Sequence, residues 1–135
     1  MITAVDTNVL IDVFTADPVF AERSAAALEE SIRRGRIVVC EAVWAETCAL
    51  FPDDRSFVRA MQDLGVELSP MTEVAAQQAG SAWRQYRKNK GSRTRMIADF
   101  MIGAHAHTQC DRLLTRDRGF YRQYFSTLKV KDPSV

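Results

Sequence analysis

Four carboxylates in this chain could do chemistry together: Asp6 in VDTNVLID, Glu46 in VWAETCALF, Asp99 in RMIADFMIGAHA and Asp117 in LLTRDRGFY. Brought within a few ångströms, carboxylates repel one another, so such a cluster holds protons at neutral pH unless a cation compensates it. An all-oxygen donor set without His or Cys favours a hard cation, Mg²⁺ or Mn²⁺, which keeps some of its waters and meets its substrate through phosphate oxygens. Asp99 is the most anomalous of the four, because the stretch around it offers almost nothing polar and a buried carboxylate without a partner is costly. His105 and His107 do not compete for the role. Two apart on one helix, they face different ways, as packing or surface residues do.

The elements that must position these acids follow from periodicity. MITAV and RIVVC read as strands, VELSP as a weaker one, RLLT as a fourth and LKV as a short last one. NVLIDVF, AERSAAALEESIRRG, EAVWAETCALF, DRSFVRAMQDLG, EVAAQQAGSAWRQYRKN with Thr72 as N-cap, MIADFMIGAHAHT and GFYRQYF read as helices. Strands separated by helices predict an α/β fold, a parallel central sheet of four to five strands covered by helices on both faces. In open sheets of this kind functional groups gather outside the carboxyl ends of the strands. Asp6 and Asp117 sit at such ends, and Glu46 lies one to two turns into the helix after RIVVC.

Each acid also has a plain structural role open to it. Asp6 and Asp117 can cap the helices that follow them, and Glu46 can be an exposed helix acid. Glu41 rivals Glu46, although five residues put it about 140° away around the helix. Asp99 can pair with Arg93 or Arg95. Four separate explanations are then needed for four acids at compatible positions.

Length and charge bound the rest. With 135 residues, 47% hydrophobic and 26% charged, the chain fits one domain, residues 1–135. No stretch approaches the roughly 18 apolar residues of a membrane span, and the N-terminus has no secretory leader pattern, so a cytoplasmic protein without membrane contact is expected. Three cysteines match neither a disulfide framework nor a zinc site, and reduced thiols are expected. The formal net charge of +1 hides an asymmetry: residues 1–75 carry 13 acids against 6 Lys and Arg, and residues 76–135 carry 4 against 12. The densest basic run, RQYRKNKGSRTR, holds Arg84, Arg87, Lys88, Lys90, Arg93 and Arg95. It is either a solvated helix end and loop or a phosphate-binding segment.

In the order VDTNVLID, VWAETCALF, ADFMIGAHA, LLTRDRGFY, the chain resembles the PIN domain, and within it the VapC-type toxin nucleases of toxin–antitoxin pairs, over nearly its whole length. The resemblance implies a PIN-like domain with Asp6, Glu46, Asp99 and Asp117 as its acidic site and Asn8 and Thr115 as polar supports. It implies an endoribonuclease that uses Mg²⁺, with Mn²⁺ as substitute, held by Asp6, Asp99 and Asp117, and water as the nucleophile, which leaves a 5′-phosphate and a 3′-hydroxyl. The basic run, with Arg116, would hold RNA phosphates beside the metal. A VapB-like antitoxin and a homodimer are the partners implied, the latter also suggested by the apolar faces of VFAERSAAALEESI and SFVRAMQDL. A dehalogenase-type phosphatase wants a second acid two residues after the first, where this chain has Asn8. A receiver domain wants an aspartate after a middle strand, and neither RIVVC nor VELSP ends so. A PIN-like module that binds RNA or protein without cutting stays open, as do a PIN nuclease in RNA processing not paired with an antitoxin and cleavage of DNA.

Overall fold

The apolar runs pair side by side as five parallel strands, β1 (Ile2–Val5), β2 (Arg36–Val39), β3 (Val66–Leu68), β4 (Arg112–Leu114) and β5 (Val130–Lys131), in a computed structural model that describes residues 1–89 and 95–135. Between them run α1 (Thr7–Phe14), α2 (Ala21–Arg34), α3 (Glu41–Cys48), α4 (Asp54–Leu64), α5 (Glu73–Lys88), α6 (Ile97–Gln109) and α7 (Arg118–Tyr124). Consecutive residues of a strand face opposite sides of the sheet, so the burial of Thr3, Ala4 and Val5 in succession, and of Arg112, Leu113 and Leu114, means that both faces are covered.

The spatial order is β3-β2-β1-β4-β5. The chain starts in the middle, winds outward through β2 and β3, then returns to the other side of β1 for β4 and β5. Thr3 pairs with Ile37 on one side and with Arg112 on the other. The winding direction reverses between β1 and β4, so the loops after these two strands lead apart and leave a crevice at the carboxyl edge. Asp6 follows β1 directly and Thr115 follows β4 directly.

Local chemistry sets the helix ends. Asp53 accepts from the Ser56 N–H at 2.7 Å to start α4, Thr72 accepts from the Ala75 N–H at 3.2 Å to start α5, and Gly65 closes α4 in the left-handed region at φ 82°. Helix α6 packs through Phe100, which meets Phe120 and Tyr124 edge-on and Tyr86 at a tilt, with ring centroids 5.2–5.7 Å apart. At Gly103 a Cβ would lie 2.3 Å from the Phe125 ring, so a residue without a side chain lets that ring lie on α6. The three cysteines are unpaired thiols, and burial pushes the Cys110 thiol up to about 12. Among the described residues no helix is long and apolar enough to cross a membrane.

Candidate active site

Asp6 stands at the carboxyl end of β1, its N–H donating to the Leu114 carbonyl of β4 at 3.0 Å. It is 6% exposed and caps α1, its Oδ1 accepting from the Thr7 N–H at 2.7 Å. Its other oxygen, Oδ2, accepts from the hydroxyls of Thr115 at 2.7 Å and Tyr121 at 3.1 Å and from the Asn8 amide at 3.3 Å. Of the two roles the residues alone left open for Asp6, the capping of α1 is thus present. Burial pushes the Asp6 carboxyl up to about 6; the hydrogen bonds from Thr115, Thr7 and Tyr121 oppose that rise, and the charge of Asp99 adds to it.

Asn8 and Thr115, the expected polar supports, bind the ends of β1 and β4 together. The Asn8 amide also donates to Thr115 Oγ1 at 3.3 Å, and its carbonyl accepts from the Arg116 N–H at 3.2 Å. Thr115 Oγ1 accepts from the Asp117 N–H at 3.0 Å. Asp99 sits in the first turn of α6, half-buried, where its Oδ2 accepts from the Met96 N–H at 3.1 Å. Glu46 enters from α3, exposed, with Oε1 accepting from the Thr7 hydroxyl at 2.8 Å. Glu41 faces elsewhere and accepts from the Met71 N–H.

Asp117 stands at the N-cap position of α7 without a side-chain capping bond. Its carboxylate is held by the Arg95 guanidinium through two contacts, 2.5 and 3.2 Å, and Arg95 lies over the Phe120 ring, 4.3 Å from its centroid. Arg95 therefore pairs with Asp117, where the sequence offered Asp99 as its carboxylate. Tyr121, buried between the acids, has a hydroxyl raised well above its ordinary range by burial and then by the charges of Asp6, Asp99 and Asp117. It stays a neutral donor at the point where three carboxylates share one electrostatic neighbourhood.

Tyr121 and Thr7 escaped the sequence reading, as did the buried Asp12. Tyr121 is four residues past Asp117, one helical turn along α7, and that spacing is the signal that could have found it. Asp12 interrupts the apolar run VLIDVF; it is 1% exposed, accepts from the Ser24 hydroxyl at 2.8 Å, and is gripped by Arg116 at 2.8 and 3.0 Å. Arg116 also lies over Phe20, 3.9 Å from its ring centroid. Its guanidinium is thus turned into the fold. Arg84, Arg87 and Lys88 are exposed along the C-terminal part of α5, with Arg87 over Trp83 at 5.4 Å; Lys90 and Arg93 lie outside the described residues.

The donors suit a hard divalent cation in kind, being carboxylate oxygens, with Asp6 destabilised as an anion chiefly by its burial. They are not converged as they stand: among the described residues no three His, Cys, Asp or Glu side chains are placed to hold a metal ion, since Asp117 is turned to Arg95 and Glu46 to Thr7.

The family model of the PIN domain matches residues 3–126. The chain belongs to the PIN domain family. No curated protein matches it in sequence. Among solved structures this PIN domain is similar to VapBC2 from Rickettsia felis bound to a DNA fragment from its promoter, at 16% identity with 98% of each chain covered and a TM-score of 0.76. It is similar also to VapBC-1 from nontypeable Haemophilus influenzae, at 20% identity, 100% of each chain and 0.73, and to a toxin–antitoxin complex from Klebsiella pneumoniae, at 20%, 97% of each chain and 0.70. At these identities the likeness is one of fold. It agrees with the single α/β domain and parallel sheet expected from the sequence.

Proposed function

We propose that this PIN domain is a Mg²⁺-dependent endoribonuclease and the toxin of a VapBC-type toxin–antitoxin pair. The observation that carries the reading is Asp6: a buried carboxylate held by three side-chain donors at the switch point of the sheet, with its pKa raised to about 6 and Asp99 beside it. A group built so firmly, and left so uncompensated, is arranged for a cation. Membership of the PIN family and the likeness to VapBC complexes support the rest.

In this reading Asp6 and Asp99 hold the ion, with Asp117 and Glu46 completing the acidic edge. The bound ion supplies Lewis acidity toward the scissile phosphate and a water activated at neutral pH. Thr115, Tyr121 and Asn8 fix the Asp6 carboxylate so that it needs no reorganisation when the ion arrives. Arg84, Arg87 and Lys88, with Lys90 and Arg93 beyond them, hold RNA phosphates and confer no sequence preference. An antitoxin is the protein partner, in the cytoplasm.

Total RNA incubated with the purified chain is the test. Cleavage that needs Mg²⁺, leaves 5′-phosphates and is lost in Asp99→Asn supports the proposal. Neutralising Arg84, Arg87 and Lys88 weakens RNA binding and flattens its salt dependence, while cleavage at saturating RNA persists. The unconverged acids and the Arg95–Asp117 pair favour a second reading, a PIN module that binds RNA without cutting; intact RNA in the presence of Mg²⁺ or Mn²⁺, with binding retained, selects it.

A further inference from the structure

A second concave site lies at the opposite edge of the sheet, where β1, β4 and β5 begin. It is a cavity of about 570 Å³ lined by Met1, Arg34, Asp111, Arg112, Lys129, Val130 and Lys131, a size within the range of small-molecule sites. The four residues of β1, at about 3.3 Å each, separate it from Asp6.

Arg112 is the informative residue. It is 9% exposed, Nε donates to Thr3 Oγ1 at 3.1 Å and Nη2 to Ser31 Oγ at 3.0 Å. The carboxylate nearest to it is Glu30, 4.0 Å away, and that same oxygen is 3.1 Å from Arg34 Nε. One carboxylate oxygen is therefore shared by two guanidiniums, and the buried one has the longer contact. Asp111, the acid of the lining, already accepts from the Ile2 N–H at 2.6 Å. Lys129 and Lys131 are exposed beside it. Four side-chain cations thus line the cavity with one engaged carboxylate, Asp111, while Glu30 reaches Arg34 and Arg112 from outside the lining, in a chain whose formal net charge is +1. A buried guanidinium with so little compensation is costly, and an anion in the cavity offsets that cost. Guanidinium forks joined by mobile ammonium groups are the chemistry of phosphate recognition.

We propose that this cavity binds a phosphoryl group carried by a molecule of nucleotide size, with Arg112 beneath it and Arg34, Lys129 and Lys131 around it. The site uses none of the acids of the carboxyl edge and needs no divalent cation, so it stands apart from the nuclease reading. Two sources share this chemistry, a free nucleotide and the terminal phosphate of a nucleic-acid strand.

The test is calorimetric titration of the full chain with pyrophosphate and with adenosine monophosphate, in EDTA, so that no metal at the carboxyl edge contributes. Saturable one-to-one binding is expected, weakened about tenfold or more in Lys129→Gln/Lys131→Gln, whose exposed positions leave the fold intact, and unchanged in Asp99→Asn. Arg112→Lys, which keeps the charge and loses the fork, weakens it too; should that variant fail to fold, the double lysine variant decides. Displacement of pyrophosphate by a 5′-phosphorylated oligonucleotide but not by its 5′-hydroxyl counterpart identifies a strand terminus as the source, and displacement by adenosine monophosphate alone identifies a free nucleotide. Absence of saturable binding, equal affinity in the double lysine variant, or loss of binding in Asp99→Asn overturns the proposal.

Discussion

Asp6 accepts four hydrogen bonds, from one backbone N–H and three side chains, and is still raised from its ordinary 3.8 to about 6, because burial outweighs them. An acid whose pKa is higher folded than unfolded binds its proton preferentially in the folded state, so stability falls as pH rises through the window between those two values and stays lower above it. Denaturant unfolding of the metal-free chain from pH 4 to pH 7 is expected to show this fall, on the order of 2–3 kcal/mol, and Asp6→Asn to lack it. His105, lowered from 6.5 by its burial, acts in the opposite sense just below that value, equally in both proteins, and cancels in the comparison. Profiles that run parallel would contradict the assignment. Tyr121→Phe removes a donor that holds the Asp6 anion, so the Asp6 carboxyl should titrate higher still, at a cost of about 1 kcal/mol of stability. Carboxyl-carbon NMR reads this directly, and an unmoved or lowered Asp6 titration would rule the contact out.

The helices decide which acids are available. Asp99 belongs to the first turn of α6, where the helix dipole favours an anion, and Asp117 to the entry of α7, where Arg95 from the segment before α6 covers it. Releasing that pair should add a carboxylate to the acidic edge. Arg95→Gln is therefore expected to bind Mn²⁺ several-fold more tightly than the parent when titrated without RNA, a gain of about 1 kcal/mol that disappears in an Asp117→Asn background. Equal or weaker binding would show that the Arg95 pair does not restrict Asp117. The seat of α6 depends on Gly103: an alanine Cβ would meet the Phe125 ring at 2.3 Å, so Gly103→Ala should cost about 1–3 kcal/mol as the ring is displaced, visible as a lowered denaturation midpoint with an unchanged slope. A wild-type midpoint would mean that Phe125 moves away freely.

For the molecule as a whole, the sheet separates two chemistries. Asp6 and Asp117 follow strand ends at the carboxyl edge, and Arg34, Arg112, Lys129 and Lys131 line the cavity at the amino edge; under the two proposals an anionic strand would need a cation at the first and none at the second. Assembly is tested at this scale. The apolar positions of VFAERSAAALEESI and SFVRAMQDL turn out to be core, with Ala27, Leu28, Phe57 and Met61 buried, and Val19, Ile32 and Val58 remain outside, 70%, 41% and 40% exposed. A homodimer through these residues is expected by light scattering at micromolar concentration, and Val58→Asp or Ile32→Asp should convert it to a monomer. A monomeric parent chain would overturn the homodimer that the resemblance implies.

Much of this was legible in the linear chain because it is encoded locally. Periodicity marked each strand and helix, Thr72 and Gly65 marked ends, and the alternation of strands and helices required a parallel sheet, since parallel neighbours need a crossover between them. The anomaly of an acid in ADFMIGAHA and of acids just past strand ends singled out Asp6, Asp99 and Asp117. Strand order was decided only by tertiary structure: the pairing of β1 with both β2 and β4 depends on how crossovers pack, and it is what brings residue 6 beside residue 115. Partner choice was decided there too. Arg95 and Arg116 look alike as basic residues beside the site, yet one lies on Asp117 and the other on the buried Asp12, because a guanidinium's partner is set by which carboxylate the folded backbone places within reach. Tyr121 is the same lesson in a neutral residue: its spacing puts it one turn past Asp117, but that its hydroxyl reaches Asp6, across 115 positions of sequence, is set by the pairing of β1 with β4.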